Sequence, residues 1–204
     1  MRILNLYSGL GGNRSAWGSD IEVTAVEYNP KIADVYRDRF PSDNVVVGDS
    51  HEYLLNHFDE YDFIWSSPPC QSHSSFRHNI CVRFRGTAPE YPDMRLYQEI
   101  LLLQHNSKAK FIVENVTPYY KPLIAPTGKA GRHLIWSNFI DNEIRIAKKS
   151  KLRSAQIPEL QEYHRIDLSK YDLGGLDKRQ LLRNCVDYEI GEEVFKKFKE
   201  EEGR

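Results

Sequence analysis

A chain of 204 residues suits one domain and is long enough to bury a sizeable core. With 40% hydrophobic and 28% charged residues it has ordinary globular composition, and no apolar run nears the roughly 18 residues of a membrane-spanning helix. The net charge of −1 gives no global electrostatic footprint for nucleic acid.

The opening MRILNLYSGLGG carries a single arginine and reaches glycine before a signal-peptide apolar stretch develops, so a cytoplasmic location is expected. Residues 2–7 (RILNLY) break into Gly-rich SGLGG, a strand-to-loop signal. Residues 21–27 (IEVTAVE) read as a second strand, and Asn29-Pro30 starts a helical pattern through Phe40. Residues 44–48 (NVVVG) are a third strand, and residues 62–66 (DFIWS) a fourth that ends in the turn signal Ser67-Pro68-Pro69. A polar stretch to about Asp93, with Arg77, Arg83 and Arg85, lacks periodicity and is expected to be a long functional loop. Residues 94–105 are helical, 111–116 (FIVENV) form a fifth strand and 133–140 (HLIWSNFI) a sixth. After about Asp141 the pattern weakens until a terminal helix over 188–201.

This alternation predicts an α/β fold with a doubly wound, mostly parallel sheet, in which ligands bind beyond the carboxyl ends of the strands. SGLGG, Glu27, Asp49, Pro69-Cys70 and Glu114-Asn115 all fall at or just past strand ends. The Gly-rich loop is either a tight turn or a place where backbone approaches a ligand. Glu27 is either a surface glutamate or an acceptor for ribose hydroxyls, and Asp49 either caps a helix or accepts from an adenine amino group. Together they favour a nucleoside-containing ligand. Cys70, directly after Pro68-Pro69 and before a polar Gln71–Ser75 loop, is where a reactive thiol is expected. Glu114, in an apolar strand, is either ion-paired or a carboxyl poised to donate a proton. Cys81 and Cys185 read as packing residues, and three irregularly spaced cysteines indicate neither a disulfide framework nor a metal site. The basic run Arg145, Lys148, Lys149, Lys151 and Arg153 is either a solvated face or a phosphate contact.

In order, these segments resemble the DNA cytosine-5 methyltransferase family. LNLYSGLGG is similar to that family's loop for S-adenosylmethionine (SAM), AVEYNPKIADVYRDRFP to its ribose segment and VVGDS to its adenine segment. SSPPCQSHS matches the catalytic P-C-Q loop, FIVENV the E-N-V segment, GRHLIWSNF an arginine segment and RQLLRNCVDYEIGEEV the closing segment. The resemblance implies a Rossmann-like SAM-dependent fold, with Cys70 as nucleophile at cytosine C6, Glu114 at N3 and Arg132 on the flipped base. It implies SAM contacts from Tyr7, Ser8, Gly9, Leu10, Gly11, Gly12, Glu27, Tyr28, Asp49, Ser50, Pro69, Asn184 and Val186, with Tyr7 stacked near the adenine. DNA is the implied substrate, within a restriction-modification setting. The same chemistry on RNA or cytosine nucleotides, and an inactive SAM- or nucleic-acid-binding module, are the alternatives.

The chain departs from the family's pattern at several positions. Asn5 stands where the family has aspartate, Ala130 where an earlier arginine is common, and Arg183 and Asp187 where glycine and proline are expected. Between Asp141 and Asp177 only roughly 35 residues stand where the family inserts a recognition domain, too few for a core of their own. Residues 142–176 are thus expected to be a remnant or replacement of that recognition region within one methyltransferase domain spanning 1–204. That shortage predicts a relaxed target and leaves room for a separate specificity-conferring protein.

Overall fold

The computed structural model describes residues 1–144 and 155–203. The basic run of 145–153 therefore falls outside the described residues, apart from which the expected remnant 142–176 contains one short strand and one helix.

Eight strands form one sheet in the order β3-β2-β1-β4-β5-β7-β6-β8. They are β1 (Arg2–Leu6), β2 (Glu22–Glu27), β3 (Asn44–Val47), β4 (Phe63–Ser66), β5 (Lys110–Val116), β6 (Gly128–Ala130), β7 (His133–Ser137) and β8 (Glu143–Ile144). The strands β3, β2, β1, β4 and β5 run parallel, and β7 is antiparallel to β5. Chain order reverses between β1 and β4, the switch point at which such sheets bind ligands. Register aligns the ends: Leu6 pairs with Val26 and Ser66, Glu27 with Val47, and Ser66 with Val113. Tyr7, Glu27, Ser67 and Glu114 consequently emerge along one edge.

Helices cover both faces, which is why the inner strands are apolar at successive positions rather than alternating. On one face Ile3, Phe63, Trp65 and Ile112 pack against Ile190, Val194 and Phe198 of α7 (Tyr188–Glu202). Phe63 and Phe198 stack there with ring centroids 4.7 Å apart. On the other face Leu4, Leu6, Ile64, Phe111 and Val113 meet Leu54 of α2 (Ser50–His57) and Leu96, Ile100 and Leu103 of α4 (Arg95–Asn106). The helix α1 (Pro30–Arg39) starts as its sequence dictates, with Asn29 accepting from Lys31 N and proline in the first turn.

Three expectations from sequence need correction. The stretch with Arg77, Arg83 and Arg85 is not loop throughout. Arg77–Val82 form a π-helical turn that runs into α3 (Arg83–Arg85) and stops at Gly86, whose φ is +65°. None of these residues is buried, so the segment had no apolar face to advertise it. The sixth strand ends at Ser137 rather than residue 140. There the Ser137 hydroxyl donates to Phe111 O at 2.7 Å and accepts from Phe139 N and Ile140 N, turning the chain away. Finally, the weakly patterned region contains α5 (Ile157–His164) and α6 (Lys178–Asn184), short helices that bury Leu160 and Leu182 with Leu10 and Val35.

Candidate active site

The first loop is held in a strained shape. Tyr7, Gly9 and Gly11 all have positive φ, and for Tyr7 that costs energy the surroundings must supply. Its backbone N–H donates to Ser50 Oγ at 3.0 Å, and its hydroxyl donates to Glu99 Oε1 at 2.6 Å. Burial and the Glu99 charge push the Tyr7 hydroxyl far above the usual phenol range. Ser50 in turn donates to Val26 O. Tyr7 and Ser50 thus brace one another within the protein.

Glu27, at the end of β2, accepts from Gly9 N at 3.0 Å and Asn29 N at 2.9 Å. Burial raises its carboxyl pKa, and these backbone donors oppose the rise. Asp49 caps α2, its Oδ1 accepting from His51 N and Glu52 N, while Oδ2 lies 3.4 Å from Arg95 Nη1. Beside them Tyr28 is 76% exposed. The three family positions around Glu27 and Asp49 are brought to one corner.

Gly11 and Gly12 serve packing. A Cβ at Gly11 would strike the Phe40 and Tyr36 rings, and one at Gly12 would strike the Val186 carbonyl and sit 2.7 Å from Cys185 Sγ. The C-terminal segment therefore closes directly onto the first loop. Cys185, partly buried there, has its thiol pushed up to about 11 by burial. Leu10 is buried too, and its carbonyl accepts from the Arg39 guanidinium. Asn5 accepts from Asn13 Nδ2 at 2.8 Å and lies next to Tyr36, which donates to Asp43. Asp43 takes Arg14 in a buried two-point pair, so Asn5 is linked through Tyr36 to an ion pair.

The second corner is built around Cys70. Asn115 Nδ2 donates to Pro68 O at 2.9 Å and Tyr119 N to His73 O at 3.1 Å, stitching the Pro-Pro-Cys loop to the end of β5. His73 N and Ser74 N both donate to Cys70 O, which makes the loop a tight turn. Pro69 is exposed beside it. The Cys70 thiol is pushed upward by burial first and by the Glu114 charge second, and Arg132 pulls it down. Cys70, Glu114 and Arg132 are therefore within electrostatic reach of one another. Arg132 owes its place to a two-residue hairpin between β6 and β7, with Gly131 at φ +55° in the first turn position. Its carbonyl accepts from Thr117 N and Thr117 Oγ1.

Sequence reasoning missed two features. His133 Nδ1 lies 3.2 Å from Glu114 Oε2. Glu99, fully buried, accepts from Tyr7 and Ser66 and lies 3.0 Å from His51 Nδ1. That bond raises the His51 pKa. A signal for Glu99 was present: it sits three residues after Leu96 and four before Leu103, on the apolar stripe of α4.

The first corner has room and donors for a nucleoside cofactor. Ser8 Oγ is buried without a partner among the described residues. A Cβ on Gly9 would meet only Tyr7 O at 3.9 Å, and one on Gly48 would meet nothing within 4 Å. No group of side chains able to hold a metal ion occurs among the described residues, nor is any helix there long and apolar enough to cross a membrane.

Residues 1–122 match the family described as C-5 cytosine-specific DNA methylase. A tRNA (cytosine(38)-C(5))-methyltransferase of Spodoptera frugiperda is 38% identical over 76 residues, covering 34% of this chain and 23% of that protein. Its namesake of Homo sapiens is 34% identical over 77 residues, covering 35% and 20%. The alignments thus span about a quarter or less of these curated relatives. A solved structure of a Spodoptera frugiperda DNMT2 triple mutant is 28% identical, covers 56% of this chain and 35% of that one, and has a TM-score of 0.39. With residues 1–122 of 204 matched, the chain belongs to the C-5 cytosine-specific DNA methylase family, whose methyl donor is S-adenosylmethionine.

Proposed function

We propose that the chain is a cytosine-5 methyltransferase acting on a nucleic-acid strand, with DNA as the first reading. The convergence of Cys70, Glu114 and Arg132 carries this reading. Cytosine C5 is a poor nucleophile until a thiolate adds at C6 and leaves an enamine. Cys70 supplies that thiolate, Glu114 protonates or hydrogen-bonds N3, and Arg132 holds the base. SAM, when bound, supplies the methyl group that C5 takes up. Loss of the C5 proton to a base and departure of Cys70 then restore the aromatic ring. Such a base must leave the stack to be reached.

Glu27, Asp49, Tyr28 and the Ser8–Gly9 backbone would hold the SAM nucleoside, Ser8 Oγ being the donor still free to act. Tyr7 and Ser50, which brace one another, would set the shape of this loop at the cofactor, and Gly12 with Val186 would close it. Residues 1–204 would form one methyltransferase domain, with 142–176 standing in for a recognition region. A second reading, an RNA substrate, is favoured by the names of the two curated relatives.

Strands containing 5-fluorocytosine test both. Fluorine cannot leave as the proton does, so wild-type protein with SAM should give an adduct stable to detergent, and Cys70→Ala none. Trapping on RNA alone would move the substrate, and an adduct in the alanine variant would end the covalent reading.

A further inference from the structure

A cavity of about 320 Å³ opens between the β6–β7 turn and α6, lined by Arg132, Asp177, Arg179, Gln180, Arg183 and Asn184. It gathers three guanidiniums against one carboxylate. That carboxylate is already engaged: Asp177 Oδ1 accepts from Arg179 N and Gln180 N as the cap of α6. Among the described residues no acidic side chain pairs with Arg132, Arg179 or Arg183, whereas Arg14, Arg77 and Arg95 are each held by a carboxylate. Residues 145–154, which lie outside the described residues, include no Asp or Glu in their sequence. Among the described residues, two of the three guanidiniums are tethered, each by a backbone carbonyl. Arg132 Nη2 donates to Arg183 O at 3.5 Å, and Arg179 Nε donates to Ala155 O at 3.2 Å.

Like charges collected in one concavity raise a positive potential there, and an anion relieves it. The remaining lining suits a phosphate. Guanidinium forks match its oxygens in two-point fashion, and the Gln180 and Asn184 amides add further donors. The position fixes which anion. Arg132 lines this cavity and also acts on the Cys70 thiol, so a group seated here is one side chain from the reacting base.

We propose that this cavity binds a backbone phosphodiester of the substrate strand next to the target cytosine, with Arg179 and Arg183 as its ligands. The proposal rests on the nucleic-acid reading given above. Phosphate contacts position a strand without reading its sequence, which is what a chain with a reduced recognition region requires of its remaining surface.

Anisotropy of short fluorescein-labelled single strands containing one cytosine, in DNA and RNA form, tests this across a salt series. Arg179→Gln/Arg183→Gln should bind about tenfold or more weakly, equally for all sequences. Its slope of log K against log salt should fall by about 0.7 per lost contact. Arg183→Lys should keep the wild-type slope. SAM affinity, measured by calorimetry on the same variants, should be unchanged, which also reports that they fold. Unchanged strand affinity and slope in the glutamine variant would overturn the proposal, as would loss of SAM binding, which would assign the cavity to the cofactor. If the wild-type protein binds neither strand, the nucleic-acid reading itself fails, an outcome distinct from silent variants.

Discussion

Glu99 and Glu114 are both buried near the carboxyl edge of the sheet, and their surroundings treat the carboxylate in opposite ways. Around Glu99, three elements converge: Tyr7 after β1, His51 at the start of α2 and Ser66 at the end of β4 all reach it within 3.0 Å. Among the described residues, the side chain paired with Glu114 is His133, at 3.2 Å and without hydrogen-bond geometry, and the Glu114 charge acts in turn on the Cys70 thiol. A buried carboxylate with its oxygens satisfied is a fastener. One with oxygens left over keeps capacity for a ligand. The first ties together the first loop, α2 and the end of β4, and the second acts on the thiol.

This contrast can be broken by paired substitutions. Glu114→Gln keeps size and shape but removes the acid, so turnover should drop by roughly 10²–10⁴-fold, the range of a general acid–base contribution. Its urea midpoint should stay near wild type. Glu99→Leu should do the reverse at first sight, costing about 3–5 kcal/mol in urea unfolding, because the donors of Tyr7, His51 and Ser66 lose a buried charged partner. Glu99→Gln, which retains an acceptor, should cost only about 1–2 kcal/mol. If Glu114→Gln unfolded as readily as Glu99→Leu, the division between fastener and reagent would be wrong.

The two glutamates also mark what the sequence made legible. Glu114 was found because it belongs to a run, FIVENV, whose apolar residues predict a strand, and the register sets it one residue beyond the Val113–Ser66 pair. The parallel strands were readable for the same reason: both faces are buried, so the runs are continuous and short. Glu99 was missed because its partners come from a loop, a helix and a strand distant in sequence, a long-range fact no local pattern encodes. His133 was missed because its meaning depends on the antiparallel pairing of β7 with β5, whereas the spacing suggested only a sixth strand. Likewise α5 and α6 were invisible, being too short for helical periodicity to stand out. Asp49 shows a different limit: the sequence left helix cap and ligand open, and the structure gives it the cap while leaving Oδ2 facing Arg95.

The smallest expected effect is the most selective. In the proposed reaction Cys70 acts as thiolate, and its pKa is held above the ordinary thiol value of roughly 8.5, by burial first and by Glu114 second. In the protein without substrate, iodoacetamide labelling of Cys70 should therefore climb with pH along a curve displaced to the alkaline side of a free thiol. Peptide mapping separates this signal from Cys81 and from Cys185, which is closed in behind Gly12. Glu114→Gln removes a neighbouring negative charge, so the thiolate becomes easier to form and the curve should move to lower pH. Arg132→Gln removes a positive charge and should move it to higher pH. Glu99→Gln should leave the curve where it is, since Glu99 is not among the groups that act on Cys70. Burial is common to all three variants, so the differences between curves isolate charge from desolvation. A displacement in Glu99→Gln as large as that in Glu114→Gln would mean that the two neighbourhoods are one electrostatic unit, with the fastener taking part in the chemistry.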